Sequence, residues 1–129
     1  MNQNVEKVVC VEKENVKIEL PFVPPSVNCC YRSVKSRIYL SSRLRDFQKK
    51  ISSALQDKPT ILGPVSLDIT FYFTDKRSRD LDNLLKPLID GLKHVVIEDD
   101  SLIYRITCEK RLVQESNKTI INITNFLPL

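Results

Sequence analysis

Residues 79–100 read R-D-L-D-N-L-L-K-P-L-I-D-G-L-K-H-V-V-I-E-D-D, and they hold most of the side chains in this chain that could do chemistry together. Asp82, Lys86 and Asp90 are four apart, so on a helix they form one charged stripe, with Asp80 just before it. Asp99 and Asp100 follow where the helical pattern stops, and the chain is expected to fold them back towards the others. Clustered carboxylates repel one another unless a cation offsets them. A hard divalent ion prefers oxygen ligands and can be held by a few carboxylates and water. Such an ion activates water and offsets charge that builds on a phosphate. With oxygen donors only in the group, Mg²⁺ suits it, or Mn²⁺, better than zinc.

Each of these residues also has a structural explanation. Aspartate is favoured at a helix N-cap and in the first turn, and Asn83 could cap as well. Lys86 and Asp90 could be a surface ion pair at helical spacing. Asp99-Asp100 could be a polar turn. Such explanations do not say why one turn-helix-turn unit sets so many acids directly after Lys76, Arg77 and Arg79. Positive charge beside a carboxylate group points to a polyanionic substrate.

The elements that must position these groups follow from periodicity. Val16, Ile18, Leu20 and Phe22 alternate with polar residues as in a strand, which Pro21, Pro24 and Pro25 stop. Residues 29–40, with Tyr31, Ile38 and Tyr39 among basic residues, read as a loop with room for one short strand. Ser41 or Ser42 is a natural N-cap for a helix carrying Leu44, Phe47, Ile51, Ala54 and Leu55, which should end near Asp57. Residues 65–74 alternate without a break and are the clearest strand. The central helix carries Leu81, Leu84, Leu85, Leu88, Ile89, Leu92, Val95 and Val96 on its apolar row, with a cap at Asp82 or Asn83 and a tight start or bend at Pro87. Two strands follow, 102–109 and 119–124, expected as a hairpin about a turn at 115–118. The sum is an α+β domain, a mixed sheet of about four to five strands with two helices covering one face.

The whole chain, 129 residues, fits one domain, with residues 1–14 as a loose arm. At 42% hydrophobic and 28% charged it can bury a core and is not composed like a disordered chain. No apolar run reaches the roughly 18 residues that span a membrane, and the start lacks a signal peptide's apolar region, so the sequence reads as cytosolic. The four cysteines form no C-x-x-C pair and His94 is the sole histidine, which argues against zinc and for reduced thiols. Net charge is +4. Arg32, Lys35, Arg37, Arg43, Arg45, Lys49, Lys50 and Lys58 face only Asp46 and Asp57 in their stretch, a basic segment suited to nucleic-acid phosphates.

The stretch R-D-L-D-N-L-L-K-P-L-I-D-G-L, with E-D-D at 98–100, resembles the signature of the RusA family of Holliday junction resolvases. Residues 20–28, L-P-F-V-P-P-S-V-N, resemble the start of that family, and the likeness runs through the strand after Asp100. The resemblance implies Mg²⁺-dependent cleavage of four-way DNA junctions by a homodimer, a phosphodiester hydrolysis leaving a 5′-phosphate and a 3′-hydroxyl. It maps the catalytic carboxylates onto Asp80, Asp82 and Asp100 and the essential lysine onto Lys86. Asp90 matches a further family aspartate. The spacing after Lys86 is about one residue shorter than in the best-known member, which leaves Asp99 and Asp100 as alternatives for one metal ligand. Pro87 stands where a small residue is usual. Arg79, Lys76, Arg77, Arg32, Lys35, Arg37, Lys49 and Lys50 are then the expected DNA contacts, and Phe22, Val23, Ile103, Phe126 and Leu127 the expected dimer contacts. Two other readings are a branched-DNA-binding protein of the same fold without cleavage, and a small interaction protein whose acids merely cap a helix.

Overall fold

The computed structural model describes residues 14–29, 31–34 and 37–127, with side chains for 14–28 and 41–127. Residues 1–13 of the expected N-terminal arm, and Lys35, lie outside the described residues. β1 (Asn15–Leu20) buries Val16, Ile18 and Leu20 and exposes the residues between them, as its alternation requires. A 3₁₀ turn (Val27–Cys29) leads to β2 (Tyr31–Val34) and β3 (Arg37–Leu40), a separate antiparallel hairpin in place of the expected loop. α1 (Ser42–Ala54) is capped by Ser41, whose Oγ accepts from the Leu44 N–H at 3.2 Å, and it buries Leu44, Phe47 and Ile51. β4 (Val65–Phe73), α2 (Leu81–Leu92), a 3₁₀ turn (Asp100–Leu102), β5 (Ile103–Leu112) and β6 (Lys118–Asn125) complete the chain.

The four long strands form one mixed sheet in the order β1-β6-β4-β5. β4 and β5 are parallel, so their link must cross back over the sheet, and α2 is that crossover. The last two strands are therefore not the expected hairpin. β6 lies on the far side of β4, antiparallel to β4 and β1. The link between β5 and β6 passes the end of β4, where the Val113 N–H donates to the Phe73 carbonyl and the Thr74 N–H to Asn117 Oδ1, each at 2.9 Å. Composition explains the exchange. Ile121 and Ile123 of β6 are fully buried, whereas β5 is exposed along almost its whole length and carries Arg105, Glu109, Lys110 and Arg111. Charge suits an unpaired edge and not a central strand.

One face of the sheet is apolar. Leu67, Ile69, Phe71, Phe73, Ile121, Ile123 and the β1 residues are buried there together with Leu84, Leu88 and Leu92 of α2 and Phe47 and Ile51 of α1. Ser66, Asp68, Thr70 and Tyr72 alternate with the buried β4 residues and belong to the other face. Gly91 lets the two helices approach: a Cβ there would lie 2.8 Å and 2.9 Å from methyl carbons of Ile51. Phe22 packs edge-on against Phe47, and Val23 also packs on the core. Phe126 stacks on Tyr104, and Leu127 is exposed. Among the described residues no helix is long and apolar enough to cross a membrane.

Candidate active-site groove

α2 begins at Leu81, not after Asp82 or Asn83. Asp80 is the N-cap, with extended backbone, yet its carboxylate makes no cap hydrogen bond. The capping explanation for this aspartate is therefore not realised. Asp82 sits in the first turn, at the positive end of the helix dipole. The helix runs on through Pro87, which is buried with Leu84, Leu88 and Leu92. Proline loses one backbone hydrogen bond there, and its ring packs as apolar surface instead.

The helix stops at Leu92, four residues before the apolar row does. Lys93 is the C-cap and His94 takes a φ of 66°. That left-handed residue turns the chain, so Val96 and Ile97 are buried from a turn and not from the helix. The turn is fastened by the Ile61 N–H, which donates to the Val96 carbonyl at 2.9 Å, and by the Gly63 N–H, which donates to Glu98 Oε1 at 2.6 Å. Glu98 is thus a structural residue.

Asp99 and Asp100 now separate. Asp99 caps the 3₁₀ turn, accepting from the Ser101 N–H at 3.1 Å and the Ser101 hydroxyl at 2.5 Å, with His94 Nε2 at 3.9 Å. The Ser101 hydroxyl, above all, holds its carboxyl below the usual carboxylate range. Asp100 instead lines a groove of about 380 Å³ with Asp82, Lys86 and Asp90. Leu85, Ile89, Ile103 and Ile106 supply its apolar surface. Lys86 Nζ lies 3.4 Å from Asp90, and Lys93 Nζ bridges Asp90 at 3.7 Å and Asp100 at 4.0 Å. Lys93 was not among the expected site residues; its position three after Asp90 was the available signal.

The groove does not gather the acids as the sequence suggested. Asp82 stands at the start of α2 and Asp100 beside its C-cap, so they share one groove from opposite ends. Among the described residues no three carboxylates converge as a ready metal cage. The donor chemistry nevertheless fits Mg²⁺: all the acids offer oxygen, and this ion is commonly held by one or two carboxylates, water and substrate phosphate.

A second, cationic concavity of about 260 Å³ adjoins the entrance to α2, lined by Lys76, Arg77, Arg79, Lys110 and Arg111 with Asp75, Phe73 and Leu112. Arg79 is committed within it: its guanidinium lies 4.0 Å above the Phe73 ring and 2.8 Å from Asp75. Its backbone carbonyl accepts from Lys110 Nζ. The Arg79 hydrogen bond pulls the Asp75 carboxyl down to about 2. Lys110 and Arg111 belong to this cationic group and lay beyond the expected strand 102–109, which in the structure runs on to Leu112. Lys49 and Lys50 are exposed on α1, Lys50 above the Phe22 ring. Arg32 lies in β2 opposite Tyr39, and Arg37 in β3 opposite Val34.

A mixed α+β sheet that presents an acidic groove on its crossover helix beside a cationic concavity has the charge pattern that suits a polyanionic substrate. The sequence model of the family described as Endodeoxyribonuclease RusA matches residues 21–124. The chain belongs to the RusA family of endodeoxyribonucleases. It is 28% identical over 120 residues to the crossover junction endodeoxyribonuclease RusA of Aquifex aeolicus, covering 89% of this chain and 95% of that protein. It is 30% identical over 111 residues to the proteins of the same name from Escherichia coli K12 and Enterobacteria phage 82, covering 83% of this chain and 92% of each.

Proposed function

We propose that the protein is a Mg²⁺-dependent endonuclease that resolves four-way DNA junctions by paired nicks, acting as a homodimer in recombination and repair. The groove carrying Asp82, Lys86, Asp90 and Asp100 on one crossover helix, in a chain of this family, is the observation that supports it. Asp80, Asp82 and Asp100 would hold Mg²⁺, or Mn²⁺ in its place, and the ion would supply an activated water and charge compensation. Lys86 is largely exposed, with a loose 3.4 Å contact to Asp90, so its ammonium can turn to a scissile phosphate and offset charge in the transition state. Lys76, Arg77, Lys110 and Arg111, with the basic residues of α1, hold DNA arms through phosphates. Such contacts position the substrate without reading sequence.

The test is incubation of the purified protein with a labelled synthetic four-way junction, with and without Mg²⁺. Symmetric paired nicks only with Mg²⁺ are expected, and an intact junction overturns the reading. The separation of Asp82 from Asp100 favours one alternative, a branched-DNA-binding protein that does not cut. It predicts a gel shift without nicking under the same conditions.

A further inference from the structure

We propose that Lys93 is a tethered cation of the groove: it holds Asp90 and Asp100 before a divalent ion arrives, and withdraws onto Asp90 when the ion takes Asp100. Lys93 and Asp90 are then positioning residues for the metal, acting through Asp100. The proposal rests on the metal-dependent reading above and names what sets the ease of ion binding at that site.

The position of Lys93 carries the argument. Its Nζ lies 3.7 Å from Asp90 and 4.0 Å from Asp100, so one ammonium faces carboxylates from two elements, α2 and the 3₁₀ turn after it. Lys86, the other lysine of the groove, pairs with Asp90 and has a side chain 61% exposed, whereas that of Lys93 is 33% exposed. The backbone of Lys93 is fixed. As the C-cap of α2 its N–H donates to the Ile89 carbonyl at 3.0 Å, and the residue forms a bridge with fully buried Ile97. The ammonium thus has a fixed base and a movable tip. It also stands at the negative end of the α2 dipole, where a cation is favoured.

The two contacts are loose. Neither has the length of a tight charge-assisted hydrogen bond, about 2.8 Å, so the ammonium is shared and can settle on either acid. Before an ion arrives it offsets the repulsion between the two carboxylates and keeps the 3₁₀ turn against the end of α2. A divalent ion at Asp100 meets the same ammonium as a like charge, which opposes binding. Asp90 supplies a second seat, so the lysine gives up Asp100 without leaving the groove.

Calorimetric titration of Mn²⁺ into the purified protein tests this without reference to cleavage. Lys93→Gln removes the charge and keeps most of the length. It is expected to bind Mn²⁺ roughly two- to fivefold more tightly than wild type in low salt, the scale of one exposed ion pair. The gain should shrink in high salt, which screens the ammonium. Lys93→Arg keeps the charge and should stay near wild type. A lysine with a structural role alone would change the melting temperature and leave Mn²⁺ affinity as it was; an unchanged or weaker affinity for Lys93→Gln, with wild type still binding, overturns the proposal. Asp90→Asn should weaken binding by a similar factor, because Lys93 then falls wholly on Asp100, and should weaken it much less in a chain that also carries Lys93→Gln. An equal loss in both backgrounds would make Asp90 itself a ligand and overturns its role as the second seat. Failure of every chain to bind Mn²⁺ overturns the metal-dependent reading and the proposal with it. If Lys93→Gln tightens Mn²⁺ binding while wild type fails to nick junctions, the role of Lys93 stands and the nuclease reading falls.

Discussion

At the scale of single residues, the structure removes one bland explanation, capping by Asp80, and confirms others. Asp99 is held by Ser101 and Glu98 by Gly63, so these acids serve the turn after α2. Asp80 accepts no cap bond, and Asp82 and Asp100 face the groove. Asp82→Asn keeps the shape and capping chemistry of the first turn while removing a charge. Junction cleavage is expected to fall by roughly 10²-fold or more, the scale of losing one preorganised electrostatic contact. Thermal stability should stay within about 0.5 kcal/mol of wild type, as for other surface changes. Normal cleavage by this variant would exclude Asp82 from the chemistry.

Asp75 makes a separate prediction about acid. Its carboxyl is depressed to about 2 by Arg79, below its ordinary value of 3.8. A group depressed in the folded state stabilises fully above its unfolded pKa and loses that effect as pH falls through the folded value. The Arg79 turn should therefore hold above about pH 4 and loosen towards pH 2. Asp75→Asn should flatten this part of the acid-denaturation curve; an unchanged curve would show that the Asp75–Arg79 contact does not persist in solution.

At the scale of elements, period was a good guide where one face is buried. β1, β4, β6 and most of both helices follow their alternating or three-and-four spacing. The β2–β3 hairpin was not legible because basic residues interrupt its apolar alternation and no glycine marks its turn. The end of α2 was overrun because Val95 and Val96 keep helical spacing while His94 turns left-handed. Gly91 gave no sequence signal either, yet it sets the approach of α1. Gly91→Ala drives a methyl into Ile51, which is 1% exposed and has little room to yield. Overpacking of this kind costs roughly 1–3 kcal/mol. A clear fall in melting temperature is expected despite alanine's better helix propensity, and a rise would mean that α1 shifts freely.

At the scale of the whole molecule, the family was legible and the arrangement of its acids was not. The residue types of the candidate groove stand out in the sequence, but a parallel crossover carries Asp100 away from Asp82, and spacing along a chain does not reveal which strands run parallel. The cations are spread more evenly than the sequence suggests, over α1, the approach to α2 and the end of β5. If these hold phosphates, the logarithm of junction affinity should fall linearly with the logarithm of salt, with a slope of about 0.9 per duplex contact. Replacing Lys49 and Lys50 together by alanine should reduce the slope by up to about 2. An unchanged slope would mean that α1 faces away from the DNA.

The strand order also sets when the fold can form. β6 lies between β1 and β4, yet it follows all the other strands in the chain, so on a ribosome two of the three strand pairings of the sheet must wait for residues 118–125. Until then β4 can pair only with β5, and β1 has no strand to pair with. A nascent chain therefore exposes unpaired strand edges late into synthesis, the state from which aggregation starts. Once released, it must close a loop of about a hundred residues before β1 is secured, which favours slow, single-step folding over early local assembly.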